Sequence, residues 1–300
     1  MIQTSCFDGV FTALVTPFTD TGSIDWHAFE SLIDRQLAAG ITGLVPVGTT
    51  GEAATLSKKE ALAIITHTVK QAAGRAYVLA GTGGNVTTKS VEATCQAADA
   101  GVDGVLLITP YYNRPSQAGL ISHFGEIASS TNVDVMLYSV PGRTGVSIEP
   151  ETASVLAKNH PNIVGIKEAG GDVTRVTALR AACDPKFVVH CGDDGLALPF
   201  FALGARGLTS VLSNFAPREC ISLYRAWCGG DQQTALSIHE HLAPLALAMF
   251  IDSSPSPVKR ALAIAGHMHD AVRLPLVQIS QKADDYLRFE LERFRKSDLQ

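Results

Sequence analysis

The chain has 300 residues, 46% of them hydrophobic and 18% charged, which supplies a large packed core and excludes a disordered polymer. Its net charge of −5, with no basic run, lacks the electrostatic footprint of a nucleic-acid binder. The longest apolar stretch, around Leu242 to Ile251, falls short of the ~20 residues that a membrane span needs.

Six cysteines, at 6, 95, 183, 191, 220 and 228, show no paired spacing. Residues 1–9 carry neither the basic nor the apolar segment of a secretory signal. Reduced thiols in a cytoplasmic protein are the simplest expectation.

Short apolar runs alternate with amphipathic stretches along most of the chain. Strands are expected at 9–18, 43–47, 77–81, 104–109, 134–140, 163–168, 187–191 and 207–212, with helices such as 26–39, 58–73, 88–100 and 149–158 between them. A weak echo runs through Ala39-Gly40-Ile41-Thr42-Gly43, Ala100-Gly101-Val102-Asp103-Gly104 and Leu203-Gly204-Ala205-Arg206-Gly207. The first glycine of each suits a left-handed helix cap, and the second suits close helix–strand approach. Eight strand–helix units point to an α/β fold, a closed (β/α)8 TIM barrel, over an open doubly wound sheet. Residues 1–230 are assigned to the barrel. Residues 231–300 read as a C-terminal helical extension. In such a barrel, catalytic side chains belong at the C-terminal ends of the strands.

The expected sixth strand closes on Lys167, in Asn162-Ile163-Val164-Gly165-Ile166-Lys167-Glu168-Ala169. A lysine among apolar walls loses hydration, which penalises the ammonium. The neutral amine is the nucleophile that forms a Schiff base with a ketone. The same position also suits a lysine that snorkels to solvent or pairs with Glu168.

Gly48-Thr49-Thr50-Gly51-Glu52 follows the second strand, with amides and hydroxyls able to grip a carboxylate, or simply to cap the next helix. Thr109-Pro110-Tyr111-Tyr112-Asn113 follows the fourth, and Tyr138 ends the fifth. Tyrosines there could pass protons or bridge core and surface. Arg143, in Pro141-Gly142-Arg143-Thr144-Gly145, can hold a carboxylate bidentately, although a plain surface arginine fits equally. Asp193 and Asp194 follow Gly192 and read as helix N-caps rather than metal ligands.

His239/His241 and His267/His269 are spaced i,i+2, which splits each pair across helix faces. Gly81-Thr82-Gly83-Gly84 lacks the full dinucleotide or P-loop pattern, and no Gly-x-Ser-x-Gly elbow occurs. The expected chemistry therefore uses neither metal nor separate cofactor.

Taken together, these motifs resemble the dihydrodipicolinate synthase branch of the N-acetylneuraminate lyase superfamily of pyruvate-dependent class I aldolases. The likeness runs from Gly9 to about Pro275 and keeps the family's order and spacing. It implies a (β/α)8 barrel followed by three helices. It further implies that Lys167 forms the Schiff base with pyruvate and that Tyr138 gives and takes protons beside it. Thr49 and Thr50 match the paired threonines of the proton relay and the pyruvate carboxylate site. Tyr112 matches the relay tyrosine contributed by a neighbouring subunit, and Arg143 the arginine that receives the carboxylate of aspartate semialdehyde. Gly192 matches a backbone position near substrate.

The implied reaction joins pyruvate to aspartate semialdehyde, and the product cyclises to 4-hydroxy-tetrahydrodipicolinate on the path to lysine and diaminopimelate. A homotetramer is the family's usual state, and a dimer is the least that a borrowed Tyr112 allows. A sibling aldolase acting on a sugar acid is the alternative, since fold does not fix substrate. A non-catalytic pyruvate-binding barrel would require damage to Lys167 or the relay.

Three positions depart from the family pattern. Ser139 stands where Asn usually follows the tyrosine, Thr209 fills a mouth position more often Ile or Val, and Ser254 replaces a frequent Asn. Lysine-inhibited members line an interface site with tyrosine, asparagine, an acid and histidines. Here Tyr111 and Asn85 persist, but Lys58, Ala61 and Lys89 fall where His, His and Glu are expected. Added cations and a lost anion repel the ammonium groups of lysine. Feedback by lysine is thus expected to be weak or absent in a steady-state assay, and half-inhibition at sub-millimolar lysine would contradict this.

Overall fold

The computed structural model describes residues 6–296. Its centre is a closed barrel of eight parallel strands in sequence order: β1 (Gly9–Ala13), β2 (Gly43–Val45), β3 (Tyr77–Gly81), β4 (Gly104–Ile108), β5 (Asp134–Ser139), β6 (Ile163–Glu168), β7 (Val188–Cys191) and β8 (Gly207–Ser210). Pairing of β8 with β1 closes the ring. Around it lie α1 (Trp26–Ala39), α2 (Lys58–Ala72), α3 (Thr87–Asp99), α4 (Gln117–Ser129), the one-turn α5 (Pro141–Thr144), α6 (Pro150–Asn159), α7 (Thr174–Ala182), α8 (Ala197–Ala202) and α9 (Pro217–Cys228). The C-terminal helices are α10 (Gln232–Ala248), α11 (Ser256–Ile264) and α12 (Gln281–Lys296). The expected fold class is the one observed. Among the described residues, no helix is long and apolar enough to cross a membrane.

Local signals start the helices. Asp25 caps α1 by accepting from the Ala28 amide, and Ser57 with Glu60 forms a reciprocal capping box on α2. The apolar faces meet the outside of the sheet, where Ile33, Leu120, Phe124 and Phe200 are fully buried. Each such side chain stabilises by roughly 1.5–3 kcal/mol relative to exposure.

Several strands end earlier than the apolar runs suggest. β2 stops at Val45 because Val47 turns into the left-handed region at φ 57. β1 stops at Ala13, and the Val15 amide bonds instead to the Asn214 side chain at 3.1 Å. The apolar residues beyond these points remain buried, but in loops.

The repeated glycine pattern has a physical basis that differs in part from the expected one. Gly40, Gly101 and Gly204 do adopt left-handed φ of 81°, 88° and 98° at the helix ends. The second glycines, Gly43, Gly104 and Gly207, face into the barrel rather than toward helices. A Cβ there would lie 2.2 Å from the Phe11 ring, 2.6 Å from Tyr77 Oη and 2.3 Å from His190 Nε2, respectively. They make room for an aromatic plug in which Phe7, Phe11, Tyr77 and His190 pack ring against ring.

His190 is the polar member of that plug. Its Nε2 lies 2.7 Å from the Phe7 carbonyl, which can only accept, so the proton sits on Nε2 and Nδ1 accepts from the Thr209 hydroxyl at 3.0 Å. Burial, opposed by the Phe7 bond, pushes the imidazole down to about 4. A histidine in the unfolded chain titrates near pH ~6.5, so below that value the unfolded chain takes up a proton that the native state refuses. This contribution is whole above pH ~6.5 and is lost as the pH falls toward about 4. Denaturant titrations at about pH 7 and about pH 5 are expected to show His190→Leu losing about 2 kcal/mol less than the parent on acidification. Equal acid sensitivity of the two proteins would contradict this assignment.

Candidate active site

The parallel register of β5 and β6 sets Tyr138 opposite Lys167. Side chains alternate across a strand, so Lys167 points into the barrel and Glu168 toward the helices. Lys167 is 5% exposed, and its Nζ lies 4.3 Å from the centre of the Tyr138 ring. Glu168 does not pair with Lys167. Its carboxylate is fully buried, accepts from Arg175 Nε at 2.9 Å and from the Gly170 amide at 2.8 Å, and is pushed upward in pKa by burial against the opposing pull of Arg175. The alternative of a Lys167–Glu168 pair, or of a snorkelling lysine, is therefore excluded by geometry.

Gly192, just past β7, completes the lysine's surroundings. A Cβ at Gly192 would sit 2.9 Å from Lys167 Cε and 2.7 Å from Ala169 Cβ. Only glycine lets the lysine stem lie where it does.

Above this pair, a cavity of about 390 Å³ opens at the C-terminal strand ends. Thr49 and Glu52 from the loop after β2, Tyr111 after β4, Tyr138, and Arg143 on α5 line it. Ser254, Pro275 and Leu276 from the C-terminal region close one side. The loop after β2 is bracketed by two non-glycine residues in left-handed conformation, Val47 at φ 57 and Glu52 at φ 56. A β-branched residue there is strained, and such strain persists only where surrounding contacts enforce it.

Lys167 and Gly192 meet this cavity through Tyr138 rather than in its lining, and the remaining candidates also fall outside the lining. Thr50 is buried behind the loop. Thr209 lies near the C-terminal end of β8, fully buried, with its hydroxyl 3.0 Å from His190 Nδ1. Tyr112 is 93% exposed, at φ 71, and within one chain it does not reach the cavity. Asp193 does cap the following turn by accepting from the Gly195 amide at 3.1 Å. Asp194 does not act as a cap; it staples β7 to β8 by accepting from the Ser210 hydroxyl and the Val211 and Leu212 amides. Among the described residues, no group of three or more His, Cys, Asp or Glu side chains is placed to hold a metal ion.

The Dihydrodipicolinate synthetase family model matches residues 6–293. This chain belongs to that family. The 4-hydroxy-tetrahydrodipicolinate synthase of Oleidesulfovibrio alaskensis is 44% identical over 282 residues, covering 94% of this chain and 96% of the relative. The 4-hydroxy-tetrahydrodipicolinate synthase structure from Methylacidiphilum fumariolicum SolV superposes with a TM-score of 0.95 at 43% identity, covering 96% of each chain. A dihydrodipicolinate synthase from Acinetobacter baumannii complexed with pyruvate superposes with a TM-score of 0.94 at 40% identity, covering 96% of this chain and 99% of that one.

Sequence reasoning within the family missed one buried residue of the site. Lys259, on α11, bonds the cavity residue Glu52 across 207 positions, and nothing local in its sequence marks it. The lysine-site substitutions also look different in three dimensions: Lys58 ion-pairs with Glu92 at 2.5 Å, which offsets part of its added charge.

Proposed function

We infer that this chain condenses pyruvate with L-aspartate 4-semialdehyde to give 4-hydroxy-tetrahydrodipicolinate, through a Schiff base on Lys167. The observation that carries this reading is an amine buried against a tyrosine ring below a cavity that has an arginine at its rim.

The chemistry follows from what such a site can do. Lys167 attacks C2 of pyruvate and expels water, forming an iminium that acts as an electron sink. A methyl proton leaves to Tyr138 or through it to Thr49, giving an enamine. The enamine carbon attacks the aldehyde carbon of the second substrate, whose new alkoxide takes a proton back from the relay. The substrate's own amine then displaces Lys167 from C2, which closes the six-membered ring and frees the lysine.

Arg143, beside the cavity and exposed enough to meet an incoming ligand, would hold the carboxylate of the semialdehyde in a bidentate grip. Thr50 and the amides of its loop would receive the pyruvate carboxylate, and Gly192 keeps the lysine stem clear. Thr209 would border the substrate from the end of β8 while its hydroxyl is held by His190. No separate cofactor is required, because the covalent imine itself supplies the electron sink.

The exposure of Tyr112 supports its use by a second copy of the chain, and hence an assembly of at least a dimer, with a homotetramer as the full form. The buried thiols Cys183, Cys191 and Cys220 suit a reducing, cytoplasmic setting.

A panel of aldehydes offered with pyruvate, comprising aspartate semialdehyde, N-acetylmannosamine and glyceraldehyde, tests the substrate assignment. The largest kcat/KM is expected for aspartate semialdehyde, and Arg143→Ala is expected to lower that value about 100-fold, the loss of one charge-assisted bidentate contact. Preference for a sugar would move the chain to a sibling aldolase, and unchanged kinetics of the variant would remove Arg143 from the site.

A further inference from the structure

The C-terminal region reaches the cavity through one buried ion pair. Lys259 on α11 and Glu52 both have 0% side-chain exposure, and Lys259 Nζ lies 2.6 Å from Glu52 Oε1. The other oxygen, Oε2, accepts the Arg273 backbone amide at 3.0 Å. Both carboxylate oxygens are thus held by the chain beyond residue 250, and neither by the barrel.

The surroundings reinforce the pair. The Phe18 ring has Lys259 Nζ 4.2 Å and Arg273 Cζ 4.3 Å from its centre. The Arg273 guanidinium is itself tied to the Gly22 and Thr55 carbonyls and to Glu60. Burial works against the charged form of Lys259, with Glu52 pulling the other way. Replacing a buried ion pair by apolar side chains of the same volume is often neutral or stabilising, so stability alone does not account for this one.

Geometry does. Glu52 is in the left-handed region, its amide closes the turn onto the Thr49 carbonyl at 3.1 Å, and it shares the cavity wall with Thr49. Thr16 donates its hydroxyl to the Gly51 carbonyl, 2.7 Å away, from the barrel side. The loop that carries Thr49 and Thr50 is therefore stretched between a barrel anchor and an anchor on the C-terminal helices.

We propose that Glu52 and Lys259 are positioning residues: their ion pair lets the docked C-terminal helices fix where Thr49 stands relative to Tyr138 and Lys167. The proposal rests on the reading of this cavity as the pyruvate site. Its consequence falls on proton transfer, because Thr49 belongs to the relay, while Lys167 itself is untouched.

The test is exchange of pyruvate's methyl protons with deuterated solvent, followed by proton NMR, which reads enamine formation without the second substrate. Lys259→Met leaves an uncompensated buried carboxylate and is expected to lower Tm. The double variant Glu52→Gln/Lys259→Met carries no buried charge and is expected to recover most of that Tm. Its exchange rate is nevertheless expected to stay about tenfold or more below the parent, since small displacements of a relay group are costly. Glu52→Gln alone, which keeps the side-chain shape, leaves Lys259 without its counter-charge and is also expected to lower Tm, but below that Tm it gives the same reading should the double variant not fold. A folded variant exchanging at the parent's rate would overturn the proposal and leave the pair a structural contact. A parent enzyme that does not exchange pyruvate protons at all would instead overturn the function on which the proposal depends.

Discussion

The pairing of β5 with β6 is the constraint on which the rest of the structure depends. One register brings Tyr138 and Lys167 into the same layer of a closed barrel, and a slip of β6 by one residue would send Lys167 to the helix side and leave Tyr138 behind. Strand alternation then separates two adjacent charges: Lys167 goes inward to a nearly dry site, and Glu168 goes outward to Arg175 on α7. The lysine is left without a carboxylate partner, facing a ring and a glycine. That setting leaves the amine no carboxylate to tie it down and directs it at the tyrosine beside the cavity.

The barrel interior below supports this arrangement by being full. Phe7, Phe11, Tyr77 and His190 fill the space toward the N-terminal ends of the strands, and the glycines at 43, 104 and 207 exist because those rings are there. The cavity consequently opens only where the loops after the strands can reach it. The polar pair His190–Thr209 sits at the boundary, buried and satisfied at both imidazole nitrogens. A barrel in which isoleucine replaced Thr209 would leave Nδ1 of that imidazole without its donor, so the departure at 209 and the histidine at 190 belong together.

Much of this was legible in the chain because barrel units are local. Each strand and helix is written in a run of a few residues, and the glycines that cap α1, α3 and α8 recur at fixed places before the next strand. Lys167, Tyr138, Thr49 and Arg143 could be singled out because each ends a strand or follows one closely. What could not be read was set by distance. The turn at Val47 that ends β2 depends on contacts with neighbouring strands, so the apolar run alone overextended the strand. The bond between Thr209 and His190 joins neighbouring strands, so the position of Thr209 in its own strand does not reveal it. Lys259 and Glu52 lie 207 residues apart, and only the docking of α11 shows that they meet. Tyr112 stands 93% exposed on its loop, and no pattern within one chain says what it meets.

The central claim is that the buried amine at the end of β6 is the one that reacts. Borohydride reduction in the presence of pyruvate, followed by peptide mass mapping, tests it most directly, because this chain has a second buried lysine for comparison. The account predicts a single reduced adduct on the peptide carrying Lys167, absent from Lys167→Ala, with Lys259 unmodified in its ion pair with Glu52. An adduct on Lys259, or none on Lys167, would contradict it.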